Sequence, residues 1–153
     1  MSAPTQTIQT VDMNALLDAV RERQLEGCRL VQICCTRLVD RFEMTYSFAR
    51  EGAFNHVRVQ VPDASVVLPS ISVLFACSFA YENEIHDLFG LSFRGLNVDY
   101  KGKFYKTAIP TPFGSAPVCG VPAKPVAKVT TDGANLQVPA ATQPDTRHPT
   151  PDT

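Results

Sequence analysis

The sequence has no tryptophan, no excess of either charge and no long apolar run. A helix that spans a bilayer takes roughly 20 consecutive apolar residues, and no stretch of these 153 residues comes near that. Lys and Arg number 14 against 15 Asp and Glu. A nucleic-acid surface needs concentrated cations to replace phosphate counterions, so this balance argues against one. No block of like charge marks a solvated tail that recruits partners electrostatically. Met1 to Thr10 lacks the basic start and apolar core of a secretory leader. The expectation is a soluble chain that reaches any membrane only through partners. Also missing are a phosphate-cradling glycine loop, a dinucleotide fingerprint and a nucleophile motif.

Five cysteines are present, Cys28, Cys34, Cys35, Cys77 and Cys119, and none forms a C-x-x-C pair. Zinc ribbons and ferredoxin-type clusters need such spacing to bring two thiolates to one metal. Cys34 and Cys35 are adjacent. On a strand, neighbours point to opposite faces, so the two cannot share an ion. They read as small buried thiols in a reducing compartment.

What is present is periodicity. Met13, Leu16, Leu17 and Val20 recur at helical spacing, with Asp12 as a candidate N-cap and Gly27 past the end. Such a helix either docks a partner or covers one face of a sheet, and the second reading is preferred. Cys28 to Val39 is rich in β-branched and apolar residues and reads as a strand. Phe42, Met44, Tyr46 and Phe48 then alternate with Glu43, Thr45 and Ser47, as in a strand with one buried face. Glu51-Gly52 suggests a turn, and Val57, Val59 and Val61 alternate with His56, Arg58 and Gln60. Three successive strands with short connections imply an antiparallel meander. Val66 to Leu68 is extended before Pro69. Ser70 or Ser72 is a candidate cap for a following helix, which runs from about Cys77 to Phe89 and stops at Gly90. Leu91 to Phe93 is a short extended piece, and Gly95 marks another bend. From Ser115 to Thr153 the chain is rich in Pro, Ala and Thr, with no periodicity. Such a segment buries too little apolar surface to offset the entropy of ordering it. The expected organisation is a flexible arm over residues 1–10, an α+β domain over 11–114 and a disordered tail over 115–153. The domain would hold an antiparallel three- to four-stranded sheet with helices on one face.

The densest information lies in Glu82-Asn83-Glu84-Ile85-His86-Asp87-Leu88-Phe89-Gly90-Leu91-Ser92-Phe93-Arg94-Gly95. This stretch resembles the signature of the 30-kDa subunit family of NADH:quinone oxidoreductase, roughly E-R-E-x-x-D-x-F-G-x-x-F-x-G-H. Glu82, Glu84, Asp87, Phe89, Gly90, Phe93 and Gly95 match it. The order of elements upstream agrees, and the resemblance covers roughly residues 10–105. Asn83 stands where that family usually has Arg, and Leu96 where it usually has His. The R-K-D-Y-P-like segment that follows in respiratory enzymes is replaced by Asp99 to Lys106 and then Pro110 to Gly114. In these departures the chain is most similar to shorter relatives in group 4 membrane-bound NiFe hydrogenases, above all the D subunit of the energy-converting (Ech) type.

On a helix Glu82 and His86 are four apart and Glu84 and Asp87 three apart, so each pair can share a face. Glu82 and Glu84 lie about 200° apart and meet different neighbours. One acid is expected to bind a cation such as Arg94. The other would reach a partner or cap a backbone turn. Phe89 and Phe93 would anchor the helix against the sheet. A solvated acidic face is the plainer reading, and the resemblance favours a structural corner held by Asp87 and one glutamate. Glu82 with His86 is a conceivable acid–base pair, but one helical pair supplies fewer ligands than zinc takes. His56 and His148 read as solvated.

The resemblance implies a cofactor-free subunit that carries no metal. The NiFe centre and Fe–S clusters would sit in partners: a hydrogenase large subunit, a small subunit, a ferredoxin-like subunit and integral membrane subunits. The chain would buttress these at the cytoplasmic side of the membrane. Such a complex would couple electron transfer between ferredoxin and protons to ion translocation. The alternatives are a 30-kDa-type subunit of a quinone-reducing complex, and a free-standing soluble module that binds a small ligand at Glu82, His86 and Asp87.

Overall fold

The computed structural model describes residues 6–115. In chain order it holds β1 (Gln6–Val11), a 3-10 turn (Met13–Ala15), α1 (Leu16–Leu25), β2 (Arg29–Arg37), β3 (Phe42–Arg50), β4 (Ala53–Val61), β5 (Val67–Pro69), α2 (Ser78–Phe89) and β6 (Ser92–Arg94). The first four strands form one sheet in the order β1-β4-β3-β2. The meander expected from the alternation is there: β2 pairs antiparallel with β3, and β3 with β4.

The hairpin between β3 and β4 follows from its turn residues. Glu51 and Gly52 both have positive φ, 49° and 81°. Two successive left-handed residues make the tight turn whose twist matches the flanking strands. Arg50 therefore pairs with Ala53, and the register runs unbroken to Phe42 against Val61. That register puts Phe42, Met44, Tyr46 and Phe48 on the same face as Val57, Val59 and Val61. Leu16, Ala19 and Val20 of α1 and Ile85 of α2 pack on that face with them. Burying each large side chain contributes about 1.5–3 kcal/mol, and this shared apolar face holds the two helices to the sheet.

The neighbouring cysteines do point apart. Cys35 is buried in the core and Cys34 is exposed. Burial, with a smaller push from Cys34, raises the Cys35 thiol to about 12. The expectation of uniformly buried thiols fails at Cys34 and Cys77, which are both exposed.

Two further expectations need correction. Residues 6–10, read as part of a flexible arm, form most of β1, which runs parallel to β4 with Gln6 beside Phe54 and Val11 beside Val59. The segment has a weak apolar alternation of its own, and its order comes from a ladder to a strand some fifty residues away. Residues 1–5 lie outside the described residues, as does the expected tail beyond Ser115.

The second correction concerns Ser70 and Ser72, which cap no helix. The chain makes a turn there, with Leu74 and Phe75 N–H both donating to the Ile71 carbonyl. The helix starts only at Ser78, after Cys77, which gives no side-chain cap. The extended pieces flanking α2 pair with each other as a small parallel ladder, β5 with β6. β5, α2 and β6 are thus a compact crossover unit.

Candidate functional site

The signature residues lie on α2 and the corner that follows it. Long side chains on a helix point back toward its N-terminus, and Glu82 does so. It is fully buried. Its Oε1 accepts hydrogen bonds from Ile71 N–H at 2.9 Å and from the Ser78 hydroxyl at 3.2 Å, and Oε2 accepts from the Ser70 hydroxyl. The Ser70 hydroxyl lies 2.7 Å from that of Ser72, which in turn accepts from Asn97 N–H at 3.0 Å. One buried carboxyl and two hydroxyls thereby tie α2 to two separate backbone corners. Burial pushes the Glu82 carboxyl above its ordinary value, and its hydrogen bonds from Ser70, Ile71 and Ser78 pull the other way.

The adjacent position does similar work on the next stretch of chain. Asn83 is 1% exposed. Its amide donates to the carbonyls of Phe79 at 2.7 Å and Val98 at 2.8 Å, and its oxygen accepts from Tyr100 N–H at 2.8 Å. Asp87 follows one turn later: Oδ2 accepts from Tyr105 N–H at 2.7 Å. The Tyr105 hydroxyl reaches Glu84 at 3.4 Å, and Phe113 N–H donates to the Leu88 carbonyl at 2.8 Å. Asn83, Asp87 and Leu88 each take up a later point of the irregular segment that follows β6: Val98 and Tyr100, then Tyr105, then Phe113. The helix is a spool, and residues 95–113 are wound along it.

Gly90 ends the helix as expected. It has φ 80°, and its N–H donates to the His86 carbonyl at 3.0 Å, the left-handed cap that satisfies one of the last free carbonyls. A Cβ there would stand 3.1 Å from Thr111 Cγ2. Gly90→Ala is therefore expected to cost about 1–2 kcal/mol from the left-handed backbone alone, with crowding against Thr111 added. Urea unfolding of the purified chain measures it, and an unchanged midpoint would show that this corner can adopt another conformation. Phe89 and Phe93 are half-buried against the core, and Phe89 also meets Phe113 at 5.6 Å between ring centres. Gly95 has φ 84° and lies in the bend after β6.

The structure does not assemble the acid–base pair. The Glu82 oxygens are engaged inside the protein, while His86 Nδ1 lies 2.8 Å from the Leu91 carbonyl. A carbonyl only accepts, so Nδ1 carries the proton there. Nor does Arg94 bind an acid: among the described residues no ion pair involves Arg94, Glu82, Glu84 or Asp87. Among the same residues no group of three or more His, Cys, Asp or Glu side chains is placed to hold a metal. His56, read as solvated, is half-buried, with Nδ1 2.9 Å from the Ser47 hydroxyl. His148 lies outside the described residues.

Two residues escaped the sequence reading. Asn83 registered only as a departure from the signature, though an amide can donate twice and accept in one buried place, which suits a helix with chain wound on it. Alternation puts Tyr46 on the apolar face of its strand, yet its hydroxyl is buried with no hydrogen-bond partner. Burial pushes that phenol well above its ordinary value, with further push from Glu82 and Cys35. A buried hydroxyl left unpaired costs more than it returns. Tyr46→Phe is therefore expected to raise stability by up to ~1 kcal/mol in thermal or urea unfolding. A loss of similar size would reveal an acceptor or a buried water at that hydroxyl.

Comparison with known proteins agrees with this geometry. The family model described as "Respiratory-chain NADH dehydrogenase, 30 Kd subunit" matches residues 6–103, which take in all six strands and both helices. No curated protein matches the sequence significantly. Among solved structures, a chain of the membrane-bound sulfane sulfur reductase, an archaeal respiratory membrane complex, superposes with a TM-score of 0.59 at 18% identity. The match covers 66% of this chain and 64% of that one. The trypsin-resistant fragment 1–134 of Nqo5 superposes with a TM-score of 0.55 at 21% identity, over 61% of this chain and 82% of that one. At these identities the two structures speak for the fold.

Proposed function

The chain belongs to the family of the 30-kDa subunit of respiratory-chain NADH dehydrogenase, and from that premise we propose that it is a structural, cofactor-free subunit of a multisubunit redox complex attached to a membrane. The observation that carries the reading is the family match over residues 6–103. The use of the signature side chains supports it. Glu82, Asn83 and Asp87 bind the chain's own backbone, which builds a rigid surface for neighbours. No helix among the described residues is long and apolar enough to cross a membrane, so attachment would run through partner subunits.

Within this reading the complex is an energy-converting NiFe hydrogenase of the Ech type. The chain would stand in the position of its D subunit, beside a large subunit with the NiFe centre, a small subunit, a ferredoxin-like subunit with Fe–S clusters and integral membrane subunits. The departures from the respiratory signature at Asn83 and Leu96, and the replaced segment after Asp99, support that choice. The family description itself favours the second reading, a subunit of a quinone-reducing complex.

The test is affinity purification of the tagged full chain from gently solubilised native membranes, with co-purifying proteins identified by mass spectrometry. A NiFe large subunit together with polytopic membrane proteins is the expected result. Quinone-reductase subunits in their place would select the second reading. Recovery of the chain alone from the soluble fraction would overturn both.

A further inference from the structure

The two edges of the main sheet are treated very differently. At one end, β2 carries Arg29 and Arg37, breaks register between Leu30 and Gln32, and is packed against α2. The Tyr81 hydroxyl donates to the carbonyl of the bulged Val31 at 3.1 Å. Charge, a bulge and a covering helix are the devices by which proteins keep an edge strand from pairing with another chain. At the other end, β1 has none of them. Gln6-Thr7-Ile8-Gln9-Thr10-Val11 contains no charge and no proline, and its register on β4 is unbroken. Among the described residues no strand pairs with its outer edge. Residues 6 to 10 are all exposed, and Ile8 is 58% exposed. Four of the six residues, Thr7, Ile8, Thr10 and Val11, are β-branched, the type that fits a pleated, half-buried surface.

We propose that the free edge of β1 is a strand-addition site, at which an extended segment of a partner subunit extends the four-stranded sheet to five. The site offers a row of outward backbone N–H and C=O groups, and only another extended backbone matches that row. Its occupant is an uncharged strand of about six residues. That strand places an apolar side chain beside Ile8, on the face shared by Gln6, Ile8 and Thr10. A second copy of this chain is the poorer fit. Six residues span about 20 Å, and an edge that short falls well below the ~800 Å² per partner that a stable interface buries. A partner that also holds other surfaces of the chain needs no such area from the edge alone. The proposal rests on the reading of the chain as a complex subunit.

Hydrogen exchange with mass spectrometry tests it, on the purified full chain and on the same chain within the co-purified complex. The outward amides of residues 6–11 are expected to exchange at least ~100-fold more slowly in the complex, as edge amides do when they join a ladder. Replacing Ile8 and Thr10 together by Lys is expected to lower recovery of the complex about 10-fold, while the thermal midpoint of the isolated variant stays near that of the wild type. A complex that forms normally, with residues 6–11 exchanging as fast as in the isolated chain, would overturn the strand addition and leave the subunit reading standing. Slow exchange already present in the isolated chain would also overturn it, because the chain itself or a second copy would then cover the edge. Failure of the wild type to recover any partner would remove both the subunit reading and this site.

Discussion

Glu82→Ala is expected to destabilise the isolated chain by about 3–4 kcal/mol, a large part of what a domain this size possesses. The carboxyl is fully buried, and three donors point at it: Ile71 N–H, the Ser70 hydroxyl and the Ser78 hydroxyl. The hydroxyls can turn toward other acceptors, and Ser70 already has Ser72 beside it. The Ile71 N–H cannot turn. Left unpaired in a buried place, it costs about 1–3 kcal/mol by itself. The cavity left by the lost side-chain atoms adds to that, since the surroundings collapse only in part. Urea unfolding followed by circular dichroism measures the loss. A change below ~1 kcal/mol would mean that water enters and replaces the carboxylate.

Glu82→Gln separates shape from charge and remains measurable if the alanine variant does not fold. Burial raises the native pKa of Glu82 above the ordinary 4.5, so the folded chain keeps this proton to higher pH than the unfolded chain does. Between the two values the native state binds more protons, and stability falls as pH rises. The contribution is fully present below the ordinary value and is lost as pH climbs through the native one. Glutamine lacks this dependence. The stability advantage of wild type over Glu82→Gln is therefore expected to shrink from about pH 4 toward neutrality. An advantage that grew with pH would mean that the hydrogen bonds from Ser70, Ile71 and Ser78 outweigh burial.

These residues also show what a sequence displays and what it hides. The strands β3 and β4, the helix α2 and its stop at Gly90 were legible because each depends on spacing within a few residues: alternation for the strands, an apolar stripe and a glycine for the helix. The mostly antiparallel sheet with helices on one face follows from those same local signals. β1 is hidden because its order comes from β4, and Gln6 to Thr10 alone looks like part of a polar arm. The corner at Ser70 to Ser72 was misread for a related reason. Two serines before a helix look like caps, and only the fold brings Glu82 back over them from 10 to 12 residues away. The signature marked Glu82 and Asp87 as important but not how. Both hold backbone, and neither meets Arg94. Asn83 was hidden by the comparison itself, since a mismatch draws attention to what is missing.

Asn83→Arg restores the residue that the 30-kDa family usually carries, and it is expected to destabilise this chain by about 2–3 kcal/mol. Two effects compete. In favour, Asp87 lies four residues on, the spacing at which helical side chains meet, and its Oδ1 is buried without a partner. An arginine at position 83 could bind that oxygen. A pair of this kind on a helix is worth about 0.5 kcal/mol when exposed and more when partly buried. Against it stand three hydrogen bonds made by the Asn83 amide in a space that is 1% exposed. Arginine has donors but no acceptor, so Tyr100 N–H loses its partner. Its longer side chain must also displace the segment around Val98, and overpacking typically costs 1–3 kcal/mol. The losses exceed the gain because residues 97–100 are wound for an amide. A double-mutant cycle with Asp87→Asn tests both halves. Asn83→Arg should cost about 1 kcal/mol more in that background, if the guanidinium does reach the carboxylate. A stabilising Asn83→Arg would mean that the segment after β6 yields easily, and that α2 does not hold it in the way its hydrogen bonds describe.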